Sequence, residues 1–314
     1  MKNIYFDCDL GADDALALAY LLASPNINLL GVGSVCGNTS ADQAAKNTLD
    51  LLDLGGYTNI PVAVGEQDFR VNTFDDSVKH IHGDNGVGNI ELPHTSRTPV
   101  KEDAKDMLLR LSHEYAGTLH VLAIGPLTNL AAALESDPTL PSRIASVTIM
   151  GGAAMVPGNI SAVAEANIGN DPEAARIVFE ASWPITVAPL DVTMANTFEE
   201  EHRHALLHST NPVAQAVGQI LDFYFDFYTT EYGRRCSAVH DPIAAALCAE
   251  GITTDIAPCA PVTVDDTQGP GRGQLICDLR GQRVGWHDID GAHVRVVLHT
   301  ACDVAQHLVD VITA

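Results

Sequence analysis

The 314-residue chain is short of basic side chains: 17 Lys and Arg stand against 40 Asp and Glu, a net charge of −23. Such a surface repels phosphate backbones and anionic bilayers, so neither a nucleic-acid polymer nor a membrane is expected as a partner. Small ligands, neutral or bridged by a cation, are easier to accommodate. Cysteine is sparse and unpatterned. The seven thiols (Cys8, Cys36, Cys236, Cys248, Cys259, Cys277 and Cys302) are odd in number and form no C-x-x-C pair. They argue against a disulfide frame or a zinc site, and for reduced thiols in a cytoplasmic protein. No uninterrupted apolar run is long enough to span a bilayer. The chain enters a strand directly after Met1-Lys2-Asn3, which leaves no room for a signal peptide. Internal repeats, low-complexity tracts and linkers are missing as well, so residues 1–314 are expected to form a single domain with a sizeable core.

What the chain does contain is concentrated near its start. Asp7-Cys8-Asp9-Leu10-Gly11-Ala12-Asp13-Asp14 places four carboxylates in eight residues, between the apolar run Ile4-Tyr5-Phe6 and the helix-forming run Ala15–Leu22. The pattern predicts a buried strand, a turn at Gly11, and a helix with Asp13 and Asp14 in its first turn. Strand carboxyl ends are where open α/β sheets build sites. Aspartate at a helix start is commonly only a cap. Asp7-x-Asp9, however, sets two carboxylates on one face of a strand. Four anions this close repel one another, and a helix N-terminus offsets only about 0.3–1 kcal/mol for each. A hard divalent cation would compensate the remainder, so a metal or catalytic site is favoured over capping alone.

Downstream, strand and helix patterns alternate. Strands are expected at 28–35, 61–65, 118–124, 145–150 and 184–189, and helices at 41–54, 101–115, 127–135 and 171–181. This is the signature of βαβ units: an α/β fold with an open, mainly parallel sheet and helices on both faces. Residues 199–230 read as two helices. The second carries Phe223, Tyr224, Phe225, Phe227 and Tyr228, a cluster suited to core packing or to a flat wall against a planar ligand. His202, His204 and His208 beside Glu199–Glu201 suggest a solvated helix face. A hairpin near Gly269–Gly273, a strand at 292–298 and a helix at 301–312 close the chain. The polar segment 66–100, with glycines at 83, 86 and 88, is either a binding loop or lid or a surface excursion.

Further polar residues fall at the ends of expected strands: Asn38, then Asn159, Glu165 and Asn167 after Met150-Gly151-Gly152, and His240-Asp241-Pro242 at a helix start. With Gly37-Asn38, His80-Ile-His82-Gly83, Gly125-Pro126-Leu127-Thr128-Asn129, Ala164-Glu165-Ala166-Asn167, Asp171-Pro-Glu-Ala-Ala and Val239-His240-Asp241-Pro242, the first motif resembles the nucleoside hydrolase family, inosine-uridine-preferring type, along essentially the whole chain. The resemblance implies a Rossmann-like fold and calcium-dependent hydrolysis of the N-glycosidic bond of ribonucleosides, in nucleoside salvage. One Ca²⁺ would be held by Asp9, Asp14, Asp241 and the Ile124 carbonyl, with Asp7 just outside. Asp13, Asn38 and Asn167 would bind the ribose 2′- and 3′-hydroxyls, and Asn159 and Glu165 the 5′-hydroxyl. His82 and Tyr228 are also expected on the substrate. Asp9 would take a proton from a metal-bound water, through an oxocarbenium-like transition state, and His240 would be the leaving-group acid. A homo-oligomer is implied, with a tetramer as the expected size.

Two departures stand out. Leu10 replaces a frequent Pro, which bears on turn rigidity, and Ala166 replaces a Phe of some members, which predicts a roomier base subsite and leaves purine against pyrimidine preference open. A Mg-dependent phosphohydrolase is disfavoured because Leu10-Gly11 follows the Asp pair and the candidate site carries almost no positive charge. A non-catalytic ribose- or nucleoside-binding protein would be expected to have lost one of these carboxylates, and none is missing.

Overall fold

A computed structural model describes residues 1–314. The first strand, β1 (Lys2–Cys8), lies in the middle of an eight-stranded sheet. The chain turns at Gly11 into α1 (Ala12–Ala23), continues through β2 (Ile27–Ser34) and α2 (Ala41–Leu54), and reaches the edge strand β3 (Val62–Val64). It then crosses back, and β4 (Leu119–Ala123) pairs with the other side of β1. From there the sheet grows outward through β5 (Ile144–Met150), β6 (Ile185–Ala188) and Val294–Val296, all parallel. Cys259–Ala260 closes that edge as the one antiparallel strand of the sheet. The chain thus adopts the expected α/β architecture.

The alternation of β1 explains the layering. Ile4, Phe6 and Cys8 face a core shared with α1 and the helices Pro212–Tyr232 and Asp241–Cys248. Tyr5 faces the opposite core, shared with the helices Ala104–Glu114 and Thr128–Ser136. Leu122 and Val121 of β4 divide between the two cores in the same way. The central strands carry apolar residues on both faces, as a parallel sheet covered on both sides requires.

The order of the strands has a functional consequence. Because β1 connects to β2 on one side while its other neighbour is β4, the loops after β1 and β4 diverge and leave a crevice at the strand carboxyl ends. Asp9, Ile124 and Gly151 follow directly after strands that end at this rim, and Asn38 and Leu190 lie just beyond two others.

Segment 66–100 has little regular structure, yet it packs down onto the sheet's rim. Its one helical turn, Lys79–His82, buries His82, and the His80 and His82 rings lie 5.8 and 5.4 Å from the rings of Phe227 and Tyr224. The expected hairpin pairs Val262–Val264 with Leu275–Cys277 around Gly269–Gly273. The histidine-rich helix departs from expectation at one residue. His204 and His208 are exposed, whereas His202 is buried and its Nδ1 accepts a hydrogen bond from the Glu199 amide, capping the helix. No helix is long and apolar enough to cross a membrane.

Candidate active site

The turn after β1 is held by its own side chains. Asp14 Oδ2 accepts from the Gly11 amide at 2.8 Å and from Asn38 Nδ2 at 2.9 Å, closing the first turn of α1 onto the loop after β2. Asp9 Oδ2 accepts from the Asn38 amide at 2.6 Å. These approaches need glycine. A Cβ on Gly37 would collide with the Asp9 carboxylate, and one on Gly11 would lie 2.5 Å from His82 Nδ1. One layer further in, Asp7 Oδ2 accepts from Tyr5 Oη at 2.9 Å and from Asn129 Nδ2 at 3.0 Å.

Asp13, Asp14 and Asp241 bring carboxylate oxygens within 4.8 Å of one another, all buried. Asp9 sits beside Asp14, whose charge is the main electrostatic influence on it. Burial pushes all four carboxyls above their ordinary range, and mutual repulsion adds to the rise at Asp9, Asp13 and Asp241. Asp13 is raised to about 7 even though Tyr224 Oη donates to its Oδ2 at 2.9 Å. Asp9, Asp13 and Asp14 each keep one buried oxygen, Oδ1, without any hydrogen-bond partner. Buried acceptors are almost always paired, so these orphans at and beside the Asp13–Asp14–Asp241 cluster call for a cation; Asp7 Oδ1, one layer further in, is unpaired as well. Hard carboxylate oxygens suit a divalent ion such as Ca²⁺ or Mg²⁺.

Above this cluster opens a cavity of about 640 Å³. Its floor is Asp13, Asp241 and Ile124. One wall holds Asn38, Asn159, Glu165 and Asn167, and the other Tyr224, Phe227, Tyr228 and His240, with His82 and Ile81 from the 66–100 segment. Asn167 Nδ2 donates to the Ile124 and Met150 carbonyls at 2.8 and 3.1 Å, which leaves its Oδ1 free to accept. Asn159 Oδ1 accepts from the Ala166 amide at 3.0 Å, which leaves its Nδ2 free to donate. The Glu165 carboxylate caps the following short helix, accepting from the amides of Gly152, Asn167 and Ile168. Burial nevertheless raises it to about 7.

The histidines are held neutral. His240 Nε2 lies 2.6 Å from Tyr228 Oη and its Nδ1 lies 2.8 Å from Thr193 Oγ1, and burial lowers its pKa to about 4. His82 Nδ1 accepts from the Ala12 amide at 3.2 Å, so its proton is on Nε2. Burial, then repulsion by His240 and His80, lowers it to about 3.

A buried acidic floor, a wall of amide and carboxylate groups, and an aromatic wall with histidine suit a sugar joined to a planar base. A family model described as "Inosine-uridine preferring nucleoside hydrolase" matches residues 4–307. The chain belongs to that family. The hydrolase is 35% identical over 242 residues to the probable uridine nucleosidase 2 of Arabidopsis thaliana, covering 77% of this chain and 75% of that one. It is 37% identical over 249 residues to the pyrimidine-specific ribonucleoside hydrolase RihA of Citrobacter koseri, covering 77% and 78%. Among solved structures, a plant nucleoside hydrolase superposes with a TM-score of 0.91 at 30% identity, covering 100% of this chain and 99% of that one. A purine-preferring ribonucleoside hydrolase from Gardnerella vaginalis gives 0.89 at 29%, covering 99% of each. Metal dependence goes with this family, and the acidic floor is where the hydrolase would meet it.

All twelve residues singled out in the sequence gather around this one cavity. Ten of them line it, whereas Asp9 and Asp14 adjoin the carboxylates of its floor without lining it, and the tightest carboxylate triple is Asp13, Asp14 and Asp241. Several residues of the site have no sequence signal of their own. Thr193 reaches the site through its Oγ1 contact with His240, and Asp191 anchors the 154–155 backbone by accepting from the Ala154 and Met155 amides. Tyr224 stood in the aromatic cluster, but its bond to Asp13 could not be read from spacing.

Proposed function

We propose that residues 1–314 act as one calcium-dependent ribonucleoside hydrolase, which uses water to split the N-glycosidic bond and releases free base and ribose. The observation that carries this reading is the buried cluster of Asp13, Asp14 and Asp241 at the floor of a cavity of nucleoside size, with Asp9 beside it and the Oδ1 atoms of Asp9, Asp13 and Asp14 unpaired. The carboxylates of Asp9, Asp14 and Asp241 and the Ile124 carbonyl would hold the ion, and Asp13 would supply a further oxygen to the ion or to the sugar. When bound there, Ca²⁺ would supply a Lewis acid that makes a water acidic enough to attack near neutral pH.

The chain's own groups do the rest. Asp9 takes the water's proton on Oδ1, while the Asn38 amide on Oδ2 keeps the carboxylate from swinging away. Asn167 Oδ1 and Asp13 accept from the ribose 2′- and 3′-hydroxyls, with Asn38 beside them. Asn159 Nδ2 donates to the 5′-hydroxyl, and Glu165 sets that wall by pinning the Gly152 and Asn167 amides. Attack from the side opposite the base gives an oxocarbenium-like transition state, stabilised by the surrounding carboxylates. The departing base takes a proton from Tyr228 Oη, which His240 replenishes through the 2.6 Å contact. His240 first takes a proton from solvent, which the negative charge building on the base favours, and after passing it to Tyr228 it returns to the neutral imidazole that burial prefers.

Its relatives' names bear on substrate class. They include uridine-directed, pyrimidine-specific and purine-preferring enzymes, and Ala166 on the cavity wall leaves room for either ring size. We place the enzyme in the cytoplasm, where seven unpaired thiols stay reduced, and expect a homo-oligomer. Incubation with uridine should release uracil and ribose, and a phosphate ester should release no phosphate. Phosphate release without nucleoside cleavage would contradict the reading.

A further inference from the structure

The aromatic wall of the cavity belongs to one helix, Pro212–Tyr232, and one stripe of it faces the cavity: Tyr224, Phe227, Tyr228 and Glu231, at spacings of three, four and seven. The stripe runs from floor to rim. Tyr224 is bonded to Asp13 at the bottom, Tyr228 to His240 above it, and Glu231 is exposed at the mouth. From Tyr224 to Glu231 the helix rises by roughly 10 Å, the reach of a ribonucleoside from its sugar to the outer edge of its base.

Glu231 differs from the other charged groups there. Its neighbours Arg234 and Arg235 are committed to Glu199, Glu200, Asp222 and Asp226, and none of them pairs with Glu231. Of the other acids lining the cavity, Asp191 and Glu165 each accept from backbone amides on both oxygens, and Asp13 and Asp241 lie on the floor. No Lys or Arg lines the cavity. The remaining groups at the outer end, Val78, Ile81, Phe227, Met194 and Ala195, are apolar. The outer edge of a bound base therefore meets one unpartnered carboxylate.

A carboxylate only accepts hydrogen bonds. An exocyclic amino group offers it donors, whereas an oxo group in the same place turns lone pairs toward it. Discrimination then comes from attraction to one base and repulsion of the other. We propose that Glu231 is a specificity-determining residue that selects ribonucleosides with an exocyclic amino group on the outer edge of the base, cytidine over uridine or adenosine over inosine. The inference rests on the nucleoside hydrolase reading above and deepens it.

The test is kcat/KM for these four nucleosides with the wild-type enzyme, E231A and E231K. Because the side chain is exposed and unpaired, both variants should keep the wild-type melting temperature. Hydrogen bonds to charged groups are stronger than neutral ones, but solvent at the rim weakens this one. E231A should therefore lower the amino-to-oxo ratio of at least one pair by about threefold to tenfold, and E231K should lower it further by donating to the oxo group. A fall in either ratio supports the role of Glu231. Unchanged ratios in both variants, with uridine or inosine still hydrolysed, overturn it and leave the hydrolase reading intact. If the wild-type enzyme cleaves none of the four, the hydrolase reading has failed and the selection with it.

Discussion

Replacing Tyr228 by Phe removes one oxygen and keeps the ring that packs against Tyr224 and Phe227. That oxygen lies 2.6 Å from His240 Nε2, so the variant cuts the proposed proton path between the imidazole and the cavity. His240 stays anchored through Nδ1 to Thr193, and the fold should lose about 1 kcal/mol for the missing hydrogen bond. The catalytic loss should be larger. General acid catalysis contributes typically about 10²–10⁴-fold, so uridine or inosine should turn over slower by roughly that factor. Nitrophenyl riboside leaves as a stable anion and needs no proton, so its kcat should stay within about threefold of wild type, a difference far below an acid's contribution. His240→Ala should give the same split. The assay is release of base, followed by absorbance, against release of nitrophenolate. Equal slowing of both substrates would refute the relay and reduce Tyr228 and His240 to positioning the ligand.

Ribose recognition gives a second expected outcome. Asp13 and Asn167 would each be left with an unpaired buried acceptor by a missing hydroxyl, so uridine should exceed 2′-deoxyuridine in kcat/KM by at least about a hundredfold, and equal rates would refute the sugar contacts. A third concerns pH. Asp13 is raised to about 7 in the metal-free fold, and Asp9, Asp14 and Asp241 are raised with it, so the fold prefers their protonated forms. That stability is present below the unfolded carboxyl range near pH 4 and is lost as pH rises through about 7. Calcium, which pairs the ionised forms, should therefore raise Tm more at pH 8 than at pH 5, and a calcium shift that shrinks as pH rises would contradict the acidic floor as its site. His82 and His240, lowered to about 3 and 4, act in the opposite sense with and without metal: their contribution is lost as pH falls below about 6.5.

The parts of this enzyme that were legible in its sequence are those fixed by local pattern. The apolar run into Asp7-x-Asp9, the turn glycine and the helix-forming run after Asp14 specified β1, its loop and α1, because a buried parallel strand and a helix N-terminus both leave strong signatures. The alternation of later segments gave the sheet. Segment 66–100 was ambiguous because the helical turn at Lys79–His82 is too short to show periodicity and is ordered by Tyr224 and Phe227 from a distant helix. The sequence does not set His202 apart from His204 and His208, because which histidine turns back to cap the helix depends on the Glu199 amide. Thr193, Asp191 and Glu231 gave no signal. Each is a common residue whose role is set by what the fold brings beside it.

In the proposed mechanism, nucleoside cleavage depends on a calcium ion held by the buried carboxylates. Asp14→Ala removes the residue that joins the Gly11 amide, Asn38 and the carboxylate cluster. The direct measurement is bound calcium per chain together with uracil release from uridine, for the wild type before and after exhaustive chelation and for Asp14→Ala. The wild type should hold about one calcium per chain and lose activity on chelation, regaining it with calcium, and the variant should have neither metal nor activity. Full turnover by chelated, metal-free enzyme would contradict this dependence.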